Sequence, residues 1–110
     1  MALAEKQAGP TALTTSAATI VTGATTPTRS TILVIIITNI HTSTVGTFEI
    51  SIATSTTVST ATAIYSVVPV PPNSTLIIRG PITLPSATNL NMKASANSVF
   101  VATVSYYENL

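Results

Sequence analysis

The 110-residue chain has no Cys, no Trp and no Asp, and it carries four basic and three acidic side chains. Without Cys there is no disulfide framework, no thiolate chemistry and no Cys-based zinc site. Charged residues are 6% of the chain, against roughly 25% in an ordinary soluble protein. Apart from tyrosines, the ionisable side chains are Glu5, Lys6, Arg29, His41, Glu49, Arg79, Lys93 and Glu108. Nucleic-acid binding shows a basic stripe that displaces counterions from phosphate. Four scattered basic residues form none. The longest strongly apolar run, Ile32 to Ile37, is far short of the ~20 residues that span a bilayer. The start, Met1-Ala2-Leu3-Ala4-Glu5-Lys6, puts its charges after a short weak apolar run, the reverse of a secretory signal. Neither nucleic acid nor membrane is expected as a partner, and no signal is read.

Hydroxyl and β-branched side chains fill the space that charge leaves. There are 22 Thr and 12 Ser, and Thr, Val and Ile together supply 44 residues. β-Branched side chains lose χ1 freedom in a helix and pack well on a pleated surface, so the composition favours sheet. Net charge is +1 and mean hydropathy is +0.55. A free-standing domain stays dispersed through a charged surface and a net charge away from zero. Here hydroxyls carry the solvation, or neighbouring chains cover much of the surface. The totals point to a protein that works inside an assembly.

Residues 1 to about 15 hold Ala, Gly9, Pro10 and Thr with no lasting period. They read as an extended N-terminal arm, with residues 16–110 as the folded domain. From Ser16 onward short strands alternate with turn clusters. The first is expected over 17–22, and Gly23 to Thr28 breaks it. The second covers 29–42 and contains Ile32-Leu33-Val34-Ile35-Ile36-Ile37. A continuous apolar strand implies burial of both faces, so its second face should meet an arm, a loop or another subunit. Residues 47–53 alternate cleanly, with Phe48, Ile50 and Ile52 on one side and Thr47, Glu49 and Ser51 on the other. That is a half-buried antiparallel strand. Further strands are expected over 61–70, 75–79, 82–84, 89–96 and 99–107. Pro69, Pro71 and Pro72 end one of them, since Pro cannot donate to a ladder. Seven or eight short strands with no helix make an all-β protein, an antiparallel β-sandwich or jelly roll.

Candidate chemistry is sparse. His41 stands alone, and a metal site or general base needs partners. Glu49 is solvated or pairs with Lys93 or Arg79. No Ser sits in a G-x-S-x-G elbow. Asn73-Ser74-Thr75 matches a glycosylation sequon, but Asn and Ser bond the local backbone at turns, and we read it as turn chemistry. Tyr65, Tyr106 and Tyr107 are candidates for a sugar platform. Adjacent Tyr106 and Tyr107 point to opposite faces of a strand, so core or interface packing is the better reading. The Thr-rich stretch 54–62 lacks the regular spacing of an ice-binding surface. No catalysis and no cofactor are expected.

The string from Tyr65 through Val68-Pro69-Val70-Pro71-Pro72-Asn73-Ser74-Thr75 to Ile78 is followed by Gly80-Pro81-Ile82-Thr83-Leu84. After a turn come Leu90 to Ala96 and a closing strand ending at Tyr107-Glu108. This resembles small structural proteins of tailed-phage virions, most specifically over 64–108. Ile32 to Asn39 followed by Phe48 to Ile52 is similar to the first hairpin of that family, where a strand ends in Asn. One departure is Ala87-Thr88, where the family often has glycine-aspartate. The resemblance implies a non-enzymatic virion component, made in the host cytoplasm. The leading expectation is a capsid decoration (cement) protein, dimeric or trimeric, bound to the major capsid protein. A tail, neck or baseplate component and a glycan-binding adhesin domain are the alternatives. Met1, Leu3 and Leu13 of the arm, with Ile35 and Ile37 of the apolar strand, are the expected protein-interface residues.

Overall fold

The computed structural model describes residues 3–23, 29–59 and 62–109. Among them are eight strands and no helix. They are β1 (Leu3–Ala12), β2 (Ala18–Val21), β3 (Arg29–Asn39), β4 (Gly46–Ala53), β5 (Ala63–Val70), β6 (Thr75–Leu84), β7 (Asn89–Ala94) and β8 (Phe100–Asn109). Two antiparallel sheets pack against each other as a β-sandwich. The first has the order β1-β8-β3-β6 and the second β2-β7-β4-β5. The pairings nest: β1 with β8, β2 with β7, β3 with β6, and β4 with β5. The first half of the chain therefore lies against the second half, as one long hairpin folded over itself. The β3–β8 and β4–β7 ladders complete each sheet.

The alternation read from the sequence builds the core. Phe48 and Ile50 from β4 and Leu90, Met92 and Ala94 from β7 face Ile32, Ile35 and Ile37 from β3. Phe48 and Phe100 meet edge to face, with ring centroids 6.1 Å apart and planes at 78°. Aromatic pairs of this kind contribute about 1 kcal/mol beyond their area. Glycine at position 46 makes room for them: a Cβ there would lie 2.6 Å from Phe100 Cε2.

The structure moves two boundaries. The segment expected as an arm is extended, but its residues 3–12 form β1 and pair with β8 inside the first sheet. Backbone hydrogen bonds to a partner strand, which need no side-chain pattern, hold it there. The stretches expected as separate strands at 75–79 and 82–84 are one strand, β6. The irregularity at Gly80-Pro81 lies opposite a second one at Leu33 of β3.

Leu33 is an extra residue in β3. Ile32 pairs with Tyr106 and Val34 with Ser105, so β8 advances one residue while β3 advances two. Such a bulge shifts the side-chain alternation by one. Ser30 and Ile32 point inward before it, and Ile35, Ile37 and Asn39 point inward after it. One face of this all-aliphatic run fills the core. The other, with Val34 and Ile36, is only half-buried.

All four sheet edges are blunted. β1 carries Pro10, β5 carries Pro69 and β6 carries Pro81, while β2 is four residues long. Short edge strands and edge prolines discourage strand-to-strand pairing between molecules.

Candidate interaction surface

The outer face of the first sheet follows from the registers. Ile36 pairs with Ile77 of β6 and Thr103 of β8, Val34 with Arg79 and Ser105, and Thr38 with Thr75 and Val101. Directly opposed side chains on one face lie within contact range, so Val34, Ile36 and Ile77 form a continuous aliphatic band. Ile77 is 49% exposed. Hydroxyl side chains surround the band, and Thr38 and Thr75 bond each other at 3.2 Å. Arg79 is the charge beside it, and Glu5 of β1 sits at the far edge opposite Tyr107. No described strand lies over this face.

The outer face of the second sheet is covered in part by its own chain, while Ile64 and Val67 of β5 stay exposed. Asn91 points outward from β7 yet is fully buried. Its Nδ2 donates to the carbonyls of Ser55 at 2.7 Å and Thr57 at 3.0 Å, and its Oδ1 accepts from the Thr19 hydroxyl at 2.8 Å. Ser51 is also buried there, donating to the Ser59 carbonyl and accepting from the Ser59 amide. The Ser/Thr loop 54–59 is thereby fastened over the sheet. Beside it Lys93 Nζ lies 3.5 Å from Glu49 Oε2, one of the two pairings the sequence offered for Glu49.

One end of the sandwich presents a locked loop, residues 40–45. Asn39 is fully buried where β3 ends. Its Nδ2 donates to the carbonyls of Thr44 and Val70, and its Oδ1 accepts from the His41 amide, all at 2.9 Å. His41 Nδ1 accepts from the amides of Ser43 at 3.2 Å and Thr44 at 3.1 Å. The amide of Ile40 reaches the Val99 carbonyl, and that of Asn73 reaches the His41 carbonyl. This fixed loop holds Ile40 and Val45 out to solvent at 52% and 59% exposure. His41 thus acts as a loop fastener. Among the described residues no three of His, Cys, Asp and Glu come together as a metal site.

Three of the five residues expected at an interface lie in the core. Leu13, Ile35 and Ile37 are core residues, exposed by 1% or less. The bulge at Leu33 turns Ile35 and Ile37 inward and leaves Val34 and Ile36 on the outer face. Leu13 is tied in by its amide, which donates to the Phe100 carbonyl at 3.0 Å. Leu3 opens β1 opposite Asn109, and Met1 lies outside the described residues. Tyr65 and Tyr106 both pack against the core, so neither offers an open aromatic platform. Surface residues missed from sequence include Ile77, Ile40 and Val45. Ile77 was legible as the odd member of the Leu76–Ile78 alternation, and the other two flank a turn.

No protein-family model matches the chain, and no curated protein is similar to it at a significant level.

Proposed function

We propose that the chain is a non-enzymatic structural protein of a virion, a decoration (cement) protein that binds the assembled capsid shell and stabilises it. The observation that carries this reading is the locked loop end. Two aliphatic side chains stand more than half exposed on a loop fixed by Asn39 and His41. A preorganised apolar contact loses little entropy on binding. On a chain with 6% charged residues, such a surface suits a neighbour better than water. The nested strand order also supports the reading. We take it as a jelly roll, an architecture of viral capsid and lectin domains. Tyr65 and Tyr106, half-buried and packed against the core, weigh against the lectin branch. The resemblance of residues 64–108 to tailed-phage structural proteins points the same way.

The mechanism is mass action. A ligand that binds the assembled lattice and not its separated subunits stabilises the lattice, by about 2.7 kcal/mol per site at a hundredfold excess over Kd. The test mixes purified chain with assembled shells and, separately, with unassembled shell protein. Cosedimentation with shells alone, and a higher shell melting temperature, are expected. Val45→Lys should abolish both effects. Binding to isolated tails, or to neither sample, would overturn the reading.

A further inference from the structure

We infer that a second copy of this chain packs face to face on the outer surface of the first sheet, about a two-fold axis crossing β3 and β6 at Ile36 and Ile77. This does not rest on the virion reading, because it concerns the chain and its own copy alone.

The blunted edges come first. With Pro10, Pro69 and Pro81 in three edge strands and a four-residue β2 as the fourth, copies are not joined by extending a sheet. Association has to use a face or a loop end. Of the two faces, the outer side of the second sheet is covered over β2, β7 and β4 by loop 54–59, leaves Ile64 and Val67 exposed only along its β5 edge, and carries the Glu49–Lys93 pair. Laying the aliphatic band there would desolvate that pair, and the desolvation penalty of a buried pair can exceed its Coulombic gain. The outer side of the first sheet has no cover and an aliphatic centre. The band therefore finds its best match in itself, which makes the contact isologous and closed.

Register fixes the axis. Ile36 and Ile77 occupy one row across β3 and β6, with Thr38 and Thr75 in the row on one side and Val34 and Arg79 in the row on the other. An in-plane two-fold axis along the Ile36–Ile77 row sets each of these side chains on its own copy. It sets Arg79 over the second copy's Thr75, so the two guanidinium groups lie on opposite sides of the axis. The Thr75 hydroxyl oxygen accepts from the guanidinium. An axis parallel to the strands that kept the whole face covered would run between β8 and β3, exchange β3 with β8 and β6 with β1, and lay the aliphatic band on the hydroxyl-rich side around Thr103 and Ser105.

The area suffices. Four strands about 4.8 Å apart and roughly ten residues long give a face of roughly 600 Å². Two such faces bury about 1,200 Å², the lower bound of stable, specific interfaces. Sheets stacked with aligned strands pack about 10 Å apart, as inside a sandwich.

Sedimentation velocity of the purified full chain over a wide concentration range tests this. The expected result is a reversible monomer–dimer equilibrium. Ile77→Lys should sediment as a monomer with an unchanged circular dichroism spectrum. Val45→Lys, on the loop end, should dimerise like the unaltered chain. Should Ile77→Lys not fold, Ile77→Thr keeps the β-branch and is expected to weaken dimerisation at least tenfold. An unaltered chain that stays monomeric at millimolar concentration, a closed trimer, or a folded position-77 variant with undiminished dimerisation would overturn the inference.

Discussion

Asn91 holds the carbonyl of Ser55 at 2.7 Å from beneath a loop that its own strand does not contain. The same amide reaches Thr57, so one buried side chain fastens a hydroxyl-rich loop to an open sheet face. Replacing Asn91 by Ala removes both anchors and one of the two partners of the Thr19 hydroxyl, the other being Thr56. We expect a loss of about 2 kcal/mol, measured by chemical denaturation. Amide exchange should speed up across residues 54–59 and stay unchanged in β3. Uniform acceleration across the domain would show that the loop is not held locally.

Ala87 has φ of 61°, at the third position of a turn in which the Thr88 amide donates to the Pro85 carbonyl. A positive φ there suits Gly, and a side chain in this region costs roughly 1–2 kcal/mol. The side chain of Ala87 is exposed. Ala87→Gly should raise stability by about 1 kcal/mol, read from the denaturation midpoint. A lower midpoint would contradict this account of the turn.

His41 serves its loop through an unprotonated Nδ1 that takes two amide hydrogens. Asn can offer a carbonyl oxygen in the same role, as in Asx-turns. His41→Asn should leave stability within a few tenths of a kcal/mol, and His41→Ala should cost about 1 kcal/mol. Amide exchange at Ser43 and Thr44 reports the loop directly. Equal behaviour of the two variants would remove His41 from this role.

Gly46→Ala drives a methyl group against the Phe100 ring, where the ideal Cβ comes within 2.6 Å. Overpacking of this kind costs about 1–3 kcal/mol. Thermal unfolding measures the loss. An unaltered melting temperature would mean that Phe100 can move aside, against its tight packing on Phe48.

The fold was legible wherever one strand face is core and the other is polar. Phe48, Ile50 and Ile52 show this in β4, and Leu90, Met92 and Ala94 in β7. β1 was not legible. Its inward positions include Ala4, Lys6 and Ala8 beside Glu108, Tyr106 and Val104, too little apolar surface to mark a strand. The inward and outward positions of β3 were hidden for another reason. In an uninterrupted aliphatic run a bulge leaves no mark, so the inward and outward sets of β3 exchange unseen after Leu33. The run pointed to Ile35 and Ile37 as interface residues, whereas the fold buries these two and leaves Val34 and Ile36 half-buried on the outer face. Asn39 was legible only as the end of a strand. Its buried amide, locking loop 40–45, is a property of three segments meeting.

On the function proposed above, this sparsely charged sandwich coats a shell in many copies. Quantitative mass spectrometry of purified particles whose genome encodes the chain, read as its ratio to the major shell protein, tests it most directly. The account predicts hundreds of copies per particle, in a fixed ratio to the shell lattice. A few to a few dozen copies would place the chain in the tail instead, and none would remove it from the virion.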